Sequence, residues 1–251
     1  MSLSPYATLI SSPPSNPVRT QPIVGVAIHT TGSGLPSSAL ASGNDPFQAG
    51  IAYYRQTKGP TYLVGWDGQI AAIFPDELIK TWHVGIESNE VGPINSGGWR
   101  QMVSPATVAA WNARWGANRN PRDLIGGALP NDVVVGIETI PVTDGSTVWY
   151  PPMRPGLRFS KPQHDALRKL VADIAARNGF PAGWQRTRLF GHEDLNPIRR
   201  YDSSGGWDPG RLRAQPFMDM NYIASSISPL AVGVAIGGAA LLAFLWARSR
   251  S

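Results

Sequence analysis

Ile23-Val24-Gly25-Val26-Ala27-Ile28-His29-Thr30-Thr31 is a short apolar, β-branched run that ends on a histidine. Its length and composition predict a buried strand over 23–28, with His29 at the carboxyl edge. Two other histidines sit in equally pointed contexts: Trp82-His83-Val84-Gly85 and Gly191-His192-Glu193-Asp194-Leu195-Asn196-Pro197. Arg188-Leu189-Phe190 reads as a last strand leading into Gly191-His192, and Asp202 follows the pair Arg199-Arg200. Two histidines and a carboxylate drawn from distant parts of a chain make a sound zinc site with one position left for water. The fourth histidine, His164, opens a helical stretch and is expected on the surface.

The segments between these points alternate in type. The run 133–142 is β-rich and holds a single acid, Glu138, within Val135-Gly136-Ile137-Glu138-Thr139-Ile140. An acid in an apolar strand is costly to bury and so needs a reason. The stretches 61–64 and 69–74, joined by Trp66-Asp67-Gly68, predict a hairpin, because Asp-Gly between apolar runs is a strong turn signal. A Gly/Ser/Asn loop follows the first strand, and 47–56 reads as a helix carrying Tyr53 and Tyr54. The clearest helix is 160–178: Leu167, Leu170, Val171, Ile174 and Ala175 fall at helical spacing, Pro162 sits early, and Gly179 stops it. A further helix over 105–117 places Trp111 and Trp115 on one face. With Trp99 they mark an insertion at about 88–130, either packing residues or a stacking surface for carbohydrate or peptide. Strands and helices intermix, so the expected class is α/β, a mixed central β-sheet flanked by helices.

Composition bounds the partners. Net charge is +5 and cysteine is absent, so the fold owes nothing to disulfides and any metal is held by imidazole and carboxylate. The basic balance favours polyanions. No zinc-finger spacing, RNP-type aromatic run or Lys/Arg block accompanies it, and nucleic acid is not an expected partner. Residues 1–20 lack the basic start and apolar core of a signal peptide, and their Ser/Pro richness reads as a flexible lead-in. From Leu230 to Ala247 the chain carries no charge. About 18 residues at helical rise span roughly 27 Å, close to the hydrocarbon thickness. The expectation is one C-terminal transmembrane helix at 230–247, after a linker at 223–229 and before a basic tail at 248–251. Arg248 and Arg250 place that tail in the cytoplasm and the catalytic domain, 21–222, outside. Gly233 and Gly237 form a GxxxG spacing that permits close helix packing.

Taken in order, these pieces resemble the zinc-dependent N-acetylmuramoyl-L-alanine amidases of the type 2 family. That family shares its fold with peptidoglycan recognition proteins and phage amidase lysozymes. The resemblance spans most of 22–213: His29-Thr30-Thr31, the hairpin at Asp67-Gly68 with Phe74-Pro75, Trp82-His83-Val84-Gly85, Gly136-Ile137-Glu138, the helix from Pro162, and Gly191-His192 through Asp202. It implies that His29, His192 and Asp202 bind zinc, that Glu138 is the catalytic acid/base, and that His83 contacts substrate. Arg200 stands where the family often has lysine; a guanidinium stabilises an oxyanion but does not give up a proton near neutral pH. Thr61 stands where relatives often carry histidine or tyrosine, and Asp208 is a second candidate ligand ranked below Asp202 on spacing. The implied function is hydrolysis of the amide between N-acetylmuramic acid and L-alanine of peptidoglycan. The enzyme expected is membrane-anchored and cell-wall lytic, of phage or virion-associated type. The alternative is a membrane-anchored peptidoglycan-binding protein without catalysis.

Overall fold

The computed structural model of the chain describes residues 3–10, 16–30, 45–57, 59–65, 67–75, 77–86, 88–140 and 161–198. All of them lie in the first of the two units into which the chain divides, Met1–Pro216. Their strands form one sheet, β1 (Thr8–Leu9), β2 (Gly25–Thr30), β3 (Tyr62–Val64), β4 (Ile70–Ala72), β5 (Val134–Thr139) and β6 (Leu189–Gly191), in the order β1-β4-β3-β5-β2-β6. The β3–β4 pair is antiparallel and the other pairs are parallel. This is the expected mixed α/β arrangement. Its central strands β3, β5 and β2 are short and largely apolar, as strands buried on both faces must be.

The hairpin forms as expected. Gly65 N–H donates to Gln69 O (2.8 Å), and Asp67 Oδ1 accepts from Gln69 N–H (3.0 Å). Gly68 turns the chain at φ 88°, and a Cβ there would press on the Pro162 backbone, so only glycine suits the position. Helix α1 (Pro46–Gln56) starts at Asp45, whose side chain accepts from Phe47 N–H. Helices α2 (Ser88–Ser96), α3 (Pro105–Trp115) and α4 (Pro130–Val133) precede β5. Helix α5 (Lys161–Arg177) buries Leu167, Leu170, Val171 and Ile174 and packs on β2 and β3; α6 (Trp184–Thr187) and α7 (His192–Leu195) flank β6. Ser160, where this helix was expected to begin, lies outside the described residues.

Strand alternation divides the core. Ala27, Val134 and Phe190 pack with Trp99, Trp111, Trp115, Leu124 and Leu195 in one cluster. The intervening residues Val26, Ile28, Val135 and Ile137 point to the other face and are fully buried. The tryptophans of the insertion are therefore core, at 0%, 4% and 7% exposure for Trp99, Trp111 and Trp115, and not a stacking surface. Trp99 and Trp111 meet edge to face with ring centroids 5.1 Å apart.

Within the N-terminal stretch, residues 3–10 and 16–20 make defined contacts with the body of the fold. Thr8–Leu9 adds a parallel strand to the exposed edge of β4, and Ile10 N–H donates to Ala72 O (3.1 Å). Ser4 N–H donates to Tyr62 Oη (3.1 Å), Asn16 Nδ2 to Lys80 O (2.8 Å), and Val18 bridges Ile79. The physical reason is the sheet edge, whose backbone groups take partners wherever a segment can reach them. Below this edge Glu77, fully buried, accepts from the Tyr62 hydroxyl (2.5 Å) and from both Arg177 terminal nitrogens (2.8 and 2.6 Å), tying α5 to the sheet. Burial, then the Glu77 carboxylate, raises the Tyr62 phenol far above its ordinary value.

Among the described residues no helix is long and apolar enough to cross a membrane. The expected helix at 230–247, with Gly233 and Gly237, lies outside them, as do the linker and the basic tail.

Candidate active site

Register across three adjacent parallel strands assembles the site. In β2 and β5 His29 lies opposite Glu138, and Ala27 lies opposite Gly136. In β2 and β6 Ala27 lies opposite Phe190 and Ile28 opposite Gly191, so the chain leaving β6 delivers His192 in line with His29. Opposed residues share a face, which puts Glu138, His29 and His192 in one row at the carboxyl ends of their strands. That is the end of a parallel sheet where ligands bind. Thr139 Oγ1 donates to His29 O (2.7 Å) and closes the end of β2 against β5.

His83 reaches this row from the loop after the hairpin. Its Nε2 is 3.0 Å from Val134 O, and its Nδ1 is 3.0 Å from His29 Nε2. A carbonyl only accepts, so His83 carries its proton on Nε2 and offers the Nδ1 lone pair to His29 Nε2–H. Burial, and after it the neighbouring His29 and Arg19, holds the His83 pKa well below the ordinary range, which keeps the ring neutral as this tautomer requires. His29 is thereby left with its lone pair on Nδ1, which faces His192 Nδ1 at 3.0 Å.

The supports of His83 are equally specific. Asn131 Oδ1 accepts from the backbone N–H of His83 (3.2 Å) and of Val84 (3.0 Å), and Asn131 Nδ2 donates to Val84 O (3.1 Å). Arg19 donates to Asn131 O and, through Nε, to Glu77 O (2.9 Å), so the staple is anchored to the sheet below. Gly136 gives the ring its bed: any Cβ there would collide with the His83 side chain.

This donor set fits a zinc ion. Two imidazole nitrogens, each on a buried ring, face each other at 3.0 Å. Ligand nitrogens of a tetrahedral zinc with Zn–N of about 2.0–2.1 Å stand roughly 3.3–3.4 Å apart, so a small separation of the rings accommodates the ion. His29 meets the usual demand on a metal-binding histidine, that its other nitrogen donate to a fixed acceptor, here His83. Among the described residues no group of His, Cys, Asp or Glu large enough to form a complete metal site comes together. The expected third ligand, Asp202, and the expected oxyanion partner, Arg200, lie outside them, as does Asp208.

A family-level sequence match to N-acetylmuramoyl-L-alanine amidase runs over residues 19–211. The chain belongs to that family. No curated protein shows significant sequence similarity to it. Among solved structures, a selenomethionine derivative of AmpD is 20% identical with a TM-score of 0.47, over 85% of this chain and 98% of that one. The endolysin N-acetylmuramoyl-L-alanine amidase LysCS from Clostridium intestinale URNW is 12% identical with a TM-score of 0.44, over 85% and 97%. Drosophila peptidoglycan recognition protein SD is 13% identical with a TM-score of 0.41, over 84% and 95%.

Of the residues expected in this amidase site, His29, His83, His192 and Glu138 converge. His83, expected to contact substrate, is 9% exposed, and its ring nitrogens lie 3.0 Å from His29 Nε2 and 3.0 Å from Val134 O. Thr61 is fully buried beside Thr81, with hydroxyls 3.5 Å apart. His164 is half-buried on α5 rather than fully exposed. Asn131 and Asp194 escaped the sequence reading. The signal for each was a polar residue flanked by chemistry, Asn131 just before the Glu138 strand and Asp194 just after His192.

Proposed function

We propose that this amidase-family chain hydrolyses the amide between the lactyl group of N-acetylmuramic acid and L-alanine of the peptidoglycan stem. The observation that carries the reading is the row Glu138–His29–His192 at the carboxyl ends of β5, β2 and β6, with the His29 lone pair directed at His192. His29, His192 and Asp202 would hold zinc. When bound, that ion supplies Lewis-acid polarisation of the amide carbonyl and lowers the pKa of water toward neutrality. Glu138, buried in an apolar strand and one strand from His29, takes the proton of the attacking water and returns it to the departing alanine nitrogen. The C–O bond forms first and gives a tetrahedral oxyanion, whose collapse breaks the C–N bond and leaves a free lactyl carboxylate and a free L-alanine amine. Arg200 stabilises the negative charge that develops on the carbonyl oxygen. His83 fixes the tautomer and direction of His29 and does not touch substrate.

Glu138→Gln tests the base directly. The variant is expected to keep its zinc and to lose about 10²–10⁴-fold in turnover on purified sacculi. Undiminished turnover would remove Glu138 from the mechanism. Wild-type protein that binds sacculi and releases no stem peptide would favour the non-catalytic alternative.

The location is read from sequence alone. The uncharged run 230–247 with its arginine flank supports a membrane anchor that holds the enzyme on the peptidoglycan side. A virion-borne amidase is the phage form of this reading, and its presence in purified particles is the check.

A further inference from the structure

The tryptophan helix α3 and the segment that carries His192 meet at one buried carboxylate. Asp194 is 1% exposed and lies two residues beyond His192. Its Oδ2 accepts from the backbone N–H of Gly191 (2.7 Å), the residue immediately before His192. Its Oδ1 accepts from Trp115 Nε1 (2.7 Å) and from Arg114 (2.8 Å), both on α3. Trp111, one turn earlier on α3, donates from Nε1 to Asp194 O (3.2 Å). The same carboxylate thus clamps the backbone just ahead of His192 and is clamped in turn by a helix about 80 residues earlier in the chain. On the far side Asn196 N–H donates to His192 O (2.8 Å) and Asn196 Nδ2 donates to Gly85 O (2.5 Å). Packing alone does not require an indole N–H to meet a carboxylate. A buried carboxylate with three donors on it is a rigid joint, since losing any one leaves charge poorly satisfied.

We propose that the insertion serves the active site as a buttress, in which Asp194, held by Trp115 and Arg114, is a positioning residue that fixes His192 for metal binding. This rests on the reading of His192 as a metal ligand. Residues that orient a metal-binding histidine typically cost 10–100-fold in metal affinity when changed. The effect travels through the Gly191 peptide rather than through the imidazole.

The test uses the full chain with Trp115→Phe, Asp194→Asn and Trp99→Phe. Trp115→Phe keeps a ring against Phe190 but removes the N–H. Trp99→Phe is a matched core change, since Trp99 is fully buried and its Nε1 donates to no group among the described residues. Zinc affinity is measured by competition with a chelator, and the His192 imidazole is followed by NMR in the metal-free protein. Trp115→Phe and Asp194→Asn are expected to weaken zinc by roughly 10-fold or more, and to shift or broaden the His192 ring signals; Trp99→Phe is expected to do neither. Wild-type affinity and an unchanged His192 spectrum in Trp115→Phe would overturn the buttress, as would an equal loss in Trp99→Phe. If Asp194→Asn does not fold, Trp115→Phe decides alone. A wild-type chain that takes up no zinc would instead sink the metal reading, and the His192 spectrum of the variants would still judge the buttress.

Discussion

His83 shows how a single side chain is read differently once its neighbours are known. Val134 O fixes its proton on Nε2, His29 takes its Nδ1 lone pair, and burial, then His29 and Arg19, hold its pKa down. In the folded state the ring therefore stays neutral well below the usual histidine pKa of about 6.5, whereas the unfolded chain takes up a proton there. The unfolded state then binds more protons as the pH falls through 6.5, so stability present above that value is lost on acidification. The slope is up to about 1.4 kcal/mol per pH unit for this one group. The metal-free protein should have a lower urea midpoint at pH 5.5 than at pH 7.5, with the His83 ring still neutral by NMR; a ring protonated at pH 5.5 in folded protein would contradict the tautomer assigned to His83. His29, His83, His192 and Glu138 were legible in the sequence because each is a reactive residue type in an apolar setting. The roles of His83, Asn131 and Asp194 were not. An asparagine or aspartate in a turn looks like ordinary loop chemistry until the fold supplies the peptide that it holds.

Among the elements, strand β5 carries the most constraint for its length. Gly136 must lack a side chain so that His83 can lie on the strand, while Glu138, two residues on, must point to the same face. Gly136→Ala drives a methyl into a buried ring, and overpacking of this kind costs about 1–3 kcal/mol. The expected outcome is a lower denaturant midpoint together with weaker zinc binding, because the displaced ring is the partner of His29. A midpoint equal to wild type would mean that His83 does not occupy this bed. Strongly patterned elements were readable in advance: the Leu167–Ala175 spacing gave α5, and Asp67-Gly68 gave the hairpin. The strand at Thr8–Leu9 and the 3-10 turns at Gly98–Gln101 and Pro121–Ile125 were not. Each is too short to show a period, and β1 exists because the β4 edge offers it partners, a fact of tertiary structure that no local pattern carries.

At the scale of the described unit, the proposed site lies where three parallel strands end, with a tryptophan-rich layer packed against the same sheet. The central claim is that this unit cuts an amide with the help of zinc. It is tested most directly by digesting purified sacculi with the full chain, before chelation, after thorough chelation and after zinc is restored, while counting newly freed L-alanine amino groups. The account predicts release of stem peptides from intact glycan strands, loss of that release on chelation and its return with zinc. Release that persists undiminished in metal-free protein would contradict it.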